Sequence, residues 1–299
     1  TARRACDALG TLKDRGPFAM FVGFHAPHEP YVMPKRYLDR VDPDTVPLPD
    51  NRSANEYEEK SECFRRRVEH FRKLHGVIDE EKIRIGTAGH FGLLKMLDDC
   101  VGTLLDELDR LGMAEDTVVV FCSDHGDLLG EHGLFNKGAT FYESEIHIPF
   151  VIRLPDGNYA GRSVEQFGSG IDVMPTLLDI LGVETDLALP GVSLLPAIRD
   201  DAPSRENVTC TIVDGMMIRT RSRKLWYNVV SGDGEMYDLD RDPGEMENLY
   251  DNPDCADMRH ELTELMLHSR LSDDRVYSLP TEREMRLHTE VSSSKDPET

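Results

Sequence analysis

The stretch Thr117-Val118-Val119-Val120-Phe121-Cys122, followed at once by Ser123-Asp124-His125-Gly126-Asp127, decides how the rest of the chain is read. A continuous β-branched and aromatic run predicts a strand buried on both faces, hence parallel and central in its sheet. In open α/β sheets ligands bind beyond the carboxyl ends of the strands, so the polar residues after Cys122 are the first candidates for chemistry. On the N-terminal side, Leu94, Leu97, Val101, Leu104, Leu108 and Leu111 recur at steps of three and four. That spacing predicts an amphipathic helix over 85–111, stopped by Gly112.

Further out, the residues 149–154 (PFVIRL) predict a second strand, and 18–24 (FAMFVGF) a third that breaks into His25-Ala26-Pro27-His28-Glu29-Pro30. Asp172 is placed to cap a helix over 173–181, with Pro175 tolerated in its first turn and Gly182 as its stop. The segment 51–81 is charged and in part helical; its Arg65-Arg66-Arg67, flanked by Glu62 and Glu69, reads as a solvated helix face. Strand and helix signals alternate to about 198, as a doubly wound α/β layer requires. Beyond that, 207–213, 216–220, 224–230 and 235–239 are short strand candidates split by turns such as Gly232-Asp233-Gly234, which predicts an antiparallel meander closed by a helix over 257–271. The expected organisation is an α/β domain over 1–200, a smaller antiparallel subdomain over 201–275 and a polar tail over 276–299.

The 299 residues carry 34 Lys and Arg against 56 Asp and Glu, a formal net charge of −22. Such a field repels phosphate backbones and anionic lipid head groups, so nucleic-acid and membrane-surface binding are not expected. No run approaches the roughly 18 apolar residues of a spanning helix. The start at Thr1, without Met and without the apolar stretch of a signal peptide, suggests a processed or truncated chain. Six cysteines show no C-x-x-C spacing, against a zinc ribbon or redox pair; Cys100 and Cys122 fall in apolar patterns and read as buried thiols.

Asp124 and His125, adjacent at a strand end, suit a pair of metal ligands or an acid–base pair. The connection after them carries Gly126, Gly130, Gly133 and Gly138 around Lys137, whose ammonium could neutralise an anion. His28 can reach the same crevice from a second loop, with His25 as the competing candidate. A carboxylate, imidazoles and an ammonium around one crevice suit an anionic ester: metal and Lys neutralise the transferring group, and His protonates the leaving oxygen.

Four motifs then occur in order: A-P-H-E-P at 26–30, S-D-H-G-D-x-L-G-E-H-G-L-x-x-K-G-x-x-x-Y-E at 123–143, D-V-M-P-T-L-L-D-I-L-G at 172–182 and M-Y-D-L-x-x-D-P-x-E-x-x-N-L at 236–249. Together they resemble the sulfatases of the alkaline phosphatase superfamily, over nearly the whole chain from 18 to 271. The resemblance implies an incomplete alkaline phosphatase-like α/β domain followed by a small C-terminal antiparallel sheet with its helix. It implies Asp124 and His125 as ligands of a divalent metal, usually Ca2+, Lys137 as a sulfate contact, and His28 as a contact to sulfate and leaving-group oxygen. A hard cation prefers oxygen, so His125 is the awkward ligand of the set and could instead hydrogen-bond the sulfate.

The family's formylglycine nucleophile comes from a C-x-P-S-R or S-x-P-S-R motif near the N-terminus, beside a pair of Asp that completes the metal site. No cysteine here begins such a motif. The near match Asp201-Ala202-Pro203-Ser204-Arg205 has Asp at the nucleophile position and lies downstream of the metal motif, so it reads as a loop. The expected protein is therefore a formylglycine-type sulfatase for a small-molecule or saccharide sulfate ester, represented by its C-terminal majority and inactive alone. A phosphomonoester, phosphodiester or phosphonate hydrolase of the same fold, and a non-catalytic pseudoenzyme, remain alternatives.

Overall fold

The computed structural model describes residues 1–52, 56–138, 140–200, 202–212 and 214–278. Asp201, Val213 and the tail from 279 onward, all part of the expectations above, lie outside the described residues. The chain forms two compact units, Thr1–Ala160 and Gly161–Thr299. The change of element pattern at about 200 thus falls inside the second unit.

In the first unit, α1 (Ala2–Leu12) is a helix that the sequence pattern does not announce. Its buried Leu9 packs with Leu108 and Leu111 of the long helix, and Phe18, Met20 and Val119 close the cluster. The short α2 (Lys35–Leu38) follows. α3 (Glu62–His75) begins at Ser61, whose hydroxyl accepts from Phe64 N at 3.2 Å. α4 (Glu80–Leu111) begins at Asp79, which accepts from Lys82 N at 2.9 Å, and ends where Gly112 takes the left-handed conformation, φ +68°. A side chain there would be strained, so glycine stops the helix where the periodicity stops.

The strand at the decisive stretch exists but differs from expectation. β1 (Val119–Cys122) pairs antiparallel with β2 (Phe150–Arg153), with Val119 opposite Arg153 and Cys122 opposite Phe150. Phe121 is 37% and Val151 59% exposed, so one face stays open, and Cys122 is an exposed thiol rather than a buried one. An apolar run specifies neither strand direction nor what covers its second face; those are set by its partner. The stretch 18–24 forms no strand. Phe18, Met20, Val22 and Phe24 turn inward while Phe21 is 96% exposed, an extended segment without a ladder partner among the described residues. Beyond β1 the short α5 (Glu143–Ile146) comes so close to Gly126 that a Cβ there would lie 1.9 Å from Ser144 O. Only glycine fits at that place in the Asp-His-Gly turn.

In the second unit, α6 (Val173–Ile180) follows Asp172, and α7 (Leu195–Asp200) comes next. Asp172 does not cap α6 with its side chain. Fully buried, its carboxylate accepts from Ser169 N and Val192 N, each at 2.8 Å, and from the Arg205 guanidinium. It closes the preceding turn Gly170–Asp172 instead, in a reciprocal capping box with Ser169. Arg205 and Ser204, whose hydroxyl bonds Phe167 O at 2.6 Å, are thereby engaged in loop structure. The meander is as expected: β3 (Val208–Ile212), β4 (Gly215–Arg219), β5 (Arg223–Asn228) and β6 (Asp233–Asp238) lie in that order, each antiparallel to the next. α8 (Ala256–Ser278) covers one face, where Leu262 and Met266 meet Ile218, Leu225 and Met236. Among the described residues no helix is long and apolar enough to cross a membrane.

Candidate active site

The two loops expected to carry the site meet in the first unit. In the 25–30 loop both prolines follow cis peptide bonds, and neither has an N–H to offer a regular element. His28 Nδ1 lies 2.7 Å from Glu29 O. A carbonyl can only accept, so Nδ1 carries the proton and Nε2 is left as an acceptor. Lys137 Nζ donates to that Nε2. The His25 ring stands beside it, 4.7 Å from the His28 ring.

His125 repeats the pattern. Its Nδ1 is 2.8 Å from Gly126 O, which leaves Nε2 with a free lone pair 3.8 Å from Asp124 Oδ2. Its ring meets that of His28 edge-on at 6.3 Å. Asp124 is 87% exposed; its Oδ1 accepts from His125 N at 3.1 Å and from the Ser123 hydroxyl at 3.5 Å. The structure therefore brings His28, Lys137 and His125 together, with Asp124 joined through His125.

Asp124 and His125 fit part of a cation site: an exposed carboxylate beside an imidazole whose tautomer is set by a backbone carbonyl, as for metal-bound histidines. Among the described residues no group of three or more His, Cys, Asp or Glu gathers to hold a metal. Calcium takes six to eight oxygens, so Asp124 would supply a minority of its shell, and the His125 nitrogen is the poorer match.

Three further residues belong to the site. Glu29 Oε2 lies 3.3 Å from His28 Nδ1 and 3.7 Å from Lys137 Nζ, a carboxylate beside both candidate groups. Asp127 Oδ1 accepts from Leu129 N at 3.0 Å and Asn136 N at 2.9 Å. Tyr31 donates to its Oδ2 at 3.4 Å, which ties the His28 loop to the Lys137 loop. Burial, then the carboxylates of Asp127 and Glu29, push the Tyr31 pKa up, so the phenol stays a donor. The His90 ring of α4 stands edge-on to Tyr31, and its pKa is lowered by burial against the opposing pull of Asp127. Asp127 had a local signal, an Asp two residues before the amide it caps in a glycine-rich turn. Glu29 stands in the A-P-H-E-P stretch, but nothing local marks its role, since its partner Lys137 is distant in sequence.

The chain is similar to known proteins along most of its length. The family model described as Sulfatase matches residues 3–183, and the model for the C-terminal region of N-sulphoglucosamine sulphohydrolase matches residues 130–272. The multifunctional alkaline phosphatase superfamily protein PehA of Trinickia caryophylli is 37% identical over 211 residues, which are 66% of this chain and 41% of that one. The choline-sulfatase of Rhizobium meliloti (strain 1021) is 32% identical over 248 residues, 81% of this chain and 48% of its own. The solved structure of the phosphonate monoester hydrolase SpPMH from Silicibacter pomeroyi superposes with a TM-score of 0.83 at 25% identity, covering 93% of this chain and 60% of that one. The chain thus spans about half the length of the curated relatives it matches. The alkaline phosphatase-like α/β fold expected from the motifs holds, and with the first family model covering more than half of the residues, this chain belongs to the sulfatase family.

Proposed function

We propose that this chain carries the leaving-group and cation-binding residues of a sulfuric ester hydrolase acting on small-molecule or saccharide sulfate esters. The observation that carries the reading is the donation of Lys137 Nζ to His28 Nε2 beside His125, at the end of β1. Lys137 neutralises the sulfate group. In this arrangement Nε2 accepts from Lys137; once the ammonium turns to the sulfate group, Nε2 is free to take up a proton from solvent, and that proton passes to the leaving oxygen as the S–O bond breaks and its electron pair stays on that oxygen. Glu29, through contact with His28 Nδ1, stabilises the imidazolium that this requires. Asp124, with His125 beside it, would hold a divalent cation, calcium in this reading, whose charge would polarise the ester, and the attacking oxygen would come from a formylglycine outside these 299 residues. The chain's share of its relatives, 41% and 48%, supports that division.

A phosphonate or phosphate ester is the second reading, favoured by the likeness to the phosphonate monoester hydrolase. Glu29 argues for a monoanion over a dianion, since a carboxylate 3.7 Å from Lys137 repels the second negative charge. The test is the full-length protein containing this chain, supplied with calcium and assayed on 4-nitrophenyl sulfate, a phenyl phosphonate monoester and 4-nitrophenyl phosphate. The expected result is sulfate hydrolysis that falls about 100- to 1,000-fold in kcat/KM on Lys137→Ala. Faster turnover of the phosphonate ester would establish the second reading, and no turnover of any of the three would overturn both.

A further inference from the structure

We propose that Arg67 is a positioning residue that aims Lys137, an inference that rests on the ester-hydrolase reading above. Sequence pattern places Arg67 on a solvated face of α3, but the structure turns it inward, on the side of the helix that buries Phe64 and Val68. Its Nη1 donates to Lys137 O at 2.8 Å and also to Gly138 O, and its Nη2 donates to Phe135 O at 3.3 Å. One planar guanidinium thus engages three carbonyls within four residues, which a point-like ammonium cannot do.

The amides of the same stretch go to carboxylates. Asn136 N donates to Asp127 Oδ1 at 2.9 Å and Gly138 N to Glu145 Oε1 at 2.7 Å. The peptide after Lys137 is held on both sides, its carbonyl by Arg67 and its amide by Glu145, and the peptide before it by Leu128 N, which donates to Asn136 O at 3.0 Å, with no helix or strand at 136–138. Glu145 is buried and also accepts from the Thr140 hydroxyl. Burial raises its pKa while Arg67 opposes the rise, and burial lowers that of Arg67 while Glu145 and Asp127 oppose the fall. The three charged groups compensate one another around the backbone of a single residue. The Lys side chain is a flexible four-carbon stem, so the approach of Nζ to His28 depends on where that backbone is held.

The test is a double-mutant cycle in the full-length protein: Arg67→Gln and Arg67→Lys, each alone and combined with Lys137→Ala. Arg67→Gln is expected to lower kcat/KM for 4-nitrophenyl sulfate about 100-fold, the scale of a misplaced catalytic group. Arg67→Lys should recover part of that loss. Added to Lys137→Ala, Arg67→Gln should cost less than about 3-fold more, because a residue acting through another has nothing left to aim. Unchanged activity of Arg67→Gln, or an equal loss with and without Lys137, would overturn the proposal; a merely structural role predicts the equal loss. If Arg67→Gln does not fold, Arg67→Lys takes its place in the cycle, and unchanged activity or an equal loss overturns the proposal there too. Trypsin gives a readout free of activity: in the 299-residue chain, cleavage after Lys137 should be slow and should accelerate at least about 10-fold in the Arg67 variant, matching roughly 1.4 kcal/mol of lost protection. Equal cleavage rates would count against the clamp. A wild-type protein without ester hydrolysis would sink the functional reading while leaving this proteolysis result to decide the clamp.

Discussion

The meander β3–β6 and the turn-rich stretch from Ser123 to Gly138 are ordered by different means. In the meander, cross-strand ladders satisfy the backbone and Ile218, Leu225 and Met236 bury their side chains against α8. In the site stretch almost no ladder exists. Scattered turn bonds such as Leu128 N to Asn136 O hold part of its backbone, and Asp127, Arg67 and Glu145 hold groups around Lys137. A regular element spreads its stability over many equivalent contacts, whereas an irregular loop concentrates it in a few charged side chains, which are also what can aim a catalytic group.

That contrast can be broken by substitution. Leu225→Ala, at 1% exposure in the core of the second unit, should cost about 2–5 kcal/mol, read from denaturation followed by the fluorescence of Trp226, the chain's one tryptophan. Asp127→Ala should cost less, about 1–3 kcal/mol, because it orphans two amides without opening an apolar cavity. Faster hydrogen exchange at Leu129 and Asn136 would register it, and a loss as large as that of Leu225→Ala would erase the distinction. Phe21→Ser should change the stability of the 299-residue chain by less than about 0.5 kcal/mol, since Phe21 is 96% exposed. A clear destabilisation in the same denaturation measurement would show that the extended segment 18–24 is packed after all.

The same division governs what could be read in advance. The helix that ends at Gly112 and the four strands of the meander lie within a residue or two of expectation at most of their ends, because period and turn residues are local. α1 went unseen, since its helical pattern is short and its buried face has only Ala5 and Leu9. The strand direction of β1, the unpaired state of 18–24 and the exposure of Cys122 depend on a partner or a cover that no local pattern encodes. At the site, Asp124, His125, Lys137 and His28 are legible through their motifs. Glu29 and the inward turn of Arg67 are not, for each is defined by a contact between distant segments.

By itself the sequence determined the meander, the helices α6 and α8, the acidic balance and the residue types that chemistry at the end of β1 would use. Only the tertiary structure decided which nitrogen of His28 faces Lys137, that a carboxylate stands beside both and that a guanidinium from α3 holds the Lys137 backbone. The physical reason is range. Backbone periodicity and turn strain act over a few neighbouring residues and leave their mark in the order of amino acids, while hydrogen bonds and charge pairs act over about 3–4 Å of space and are indifferent to the separation along the chain.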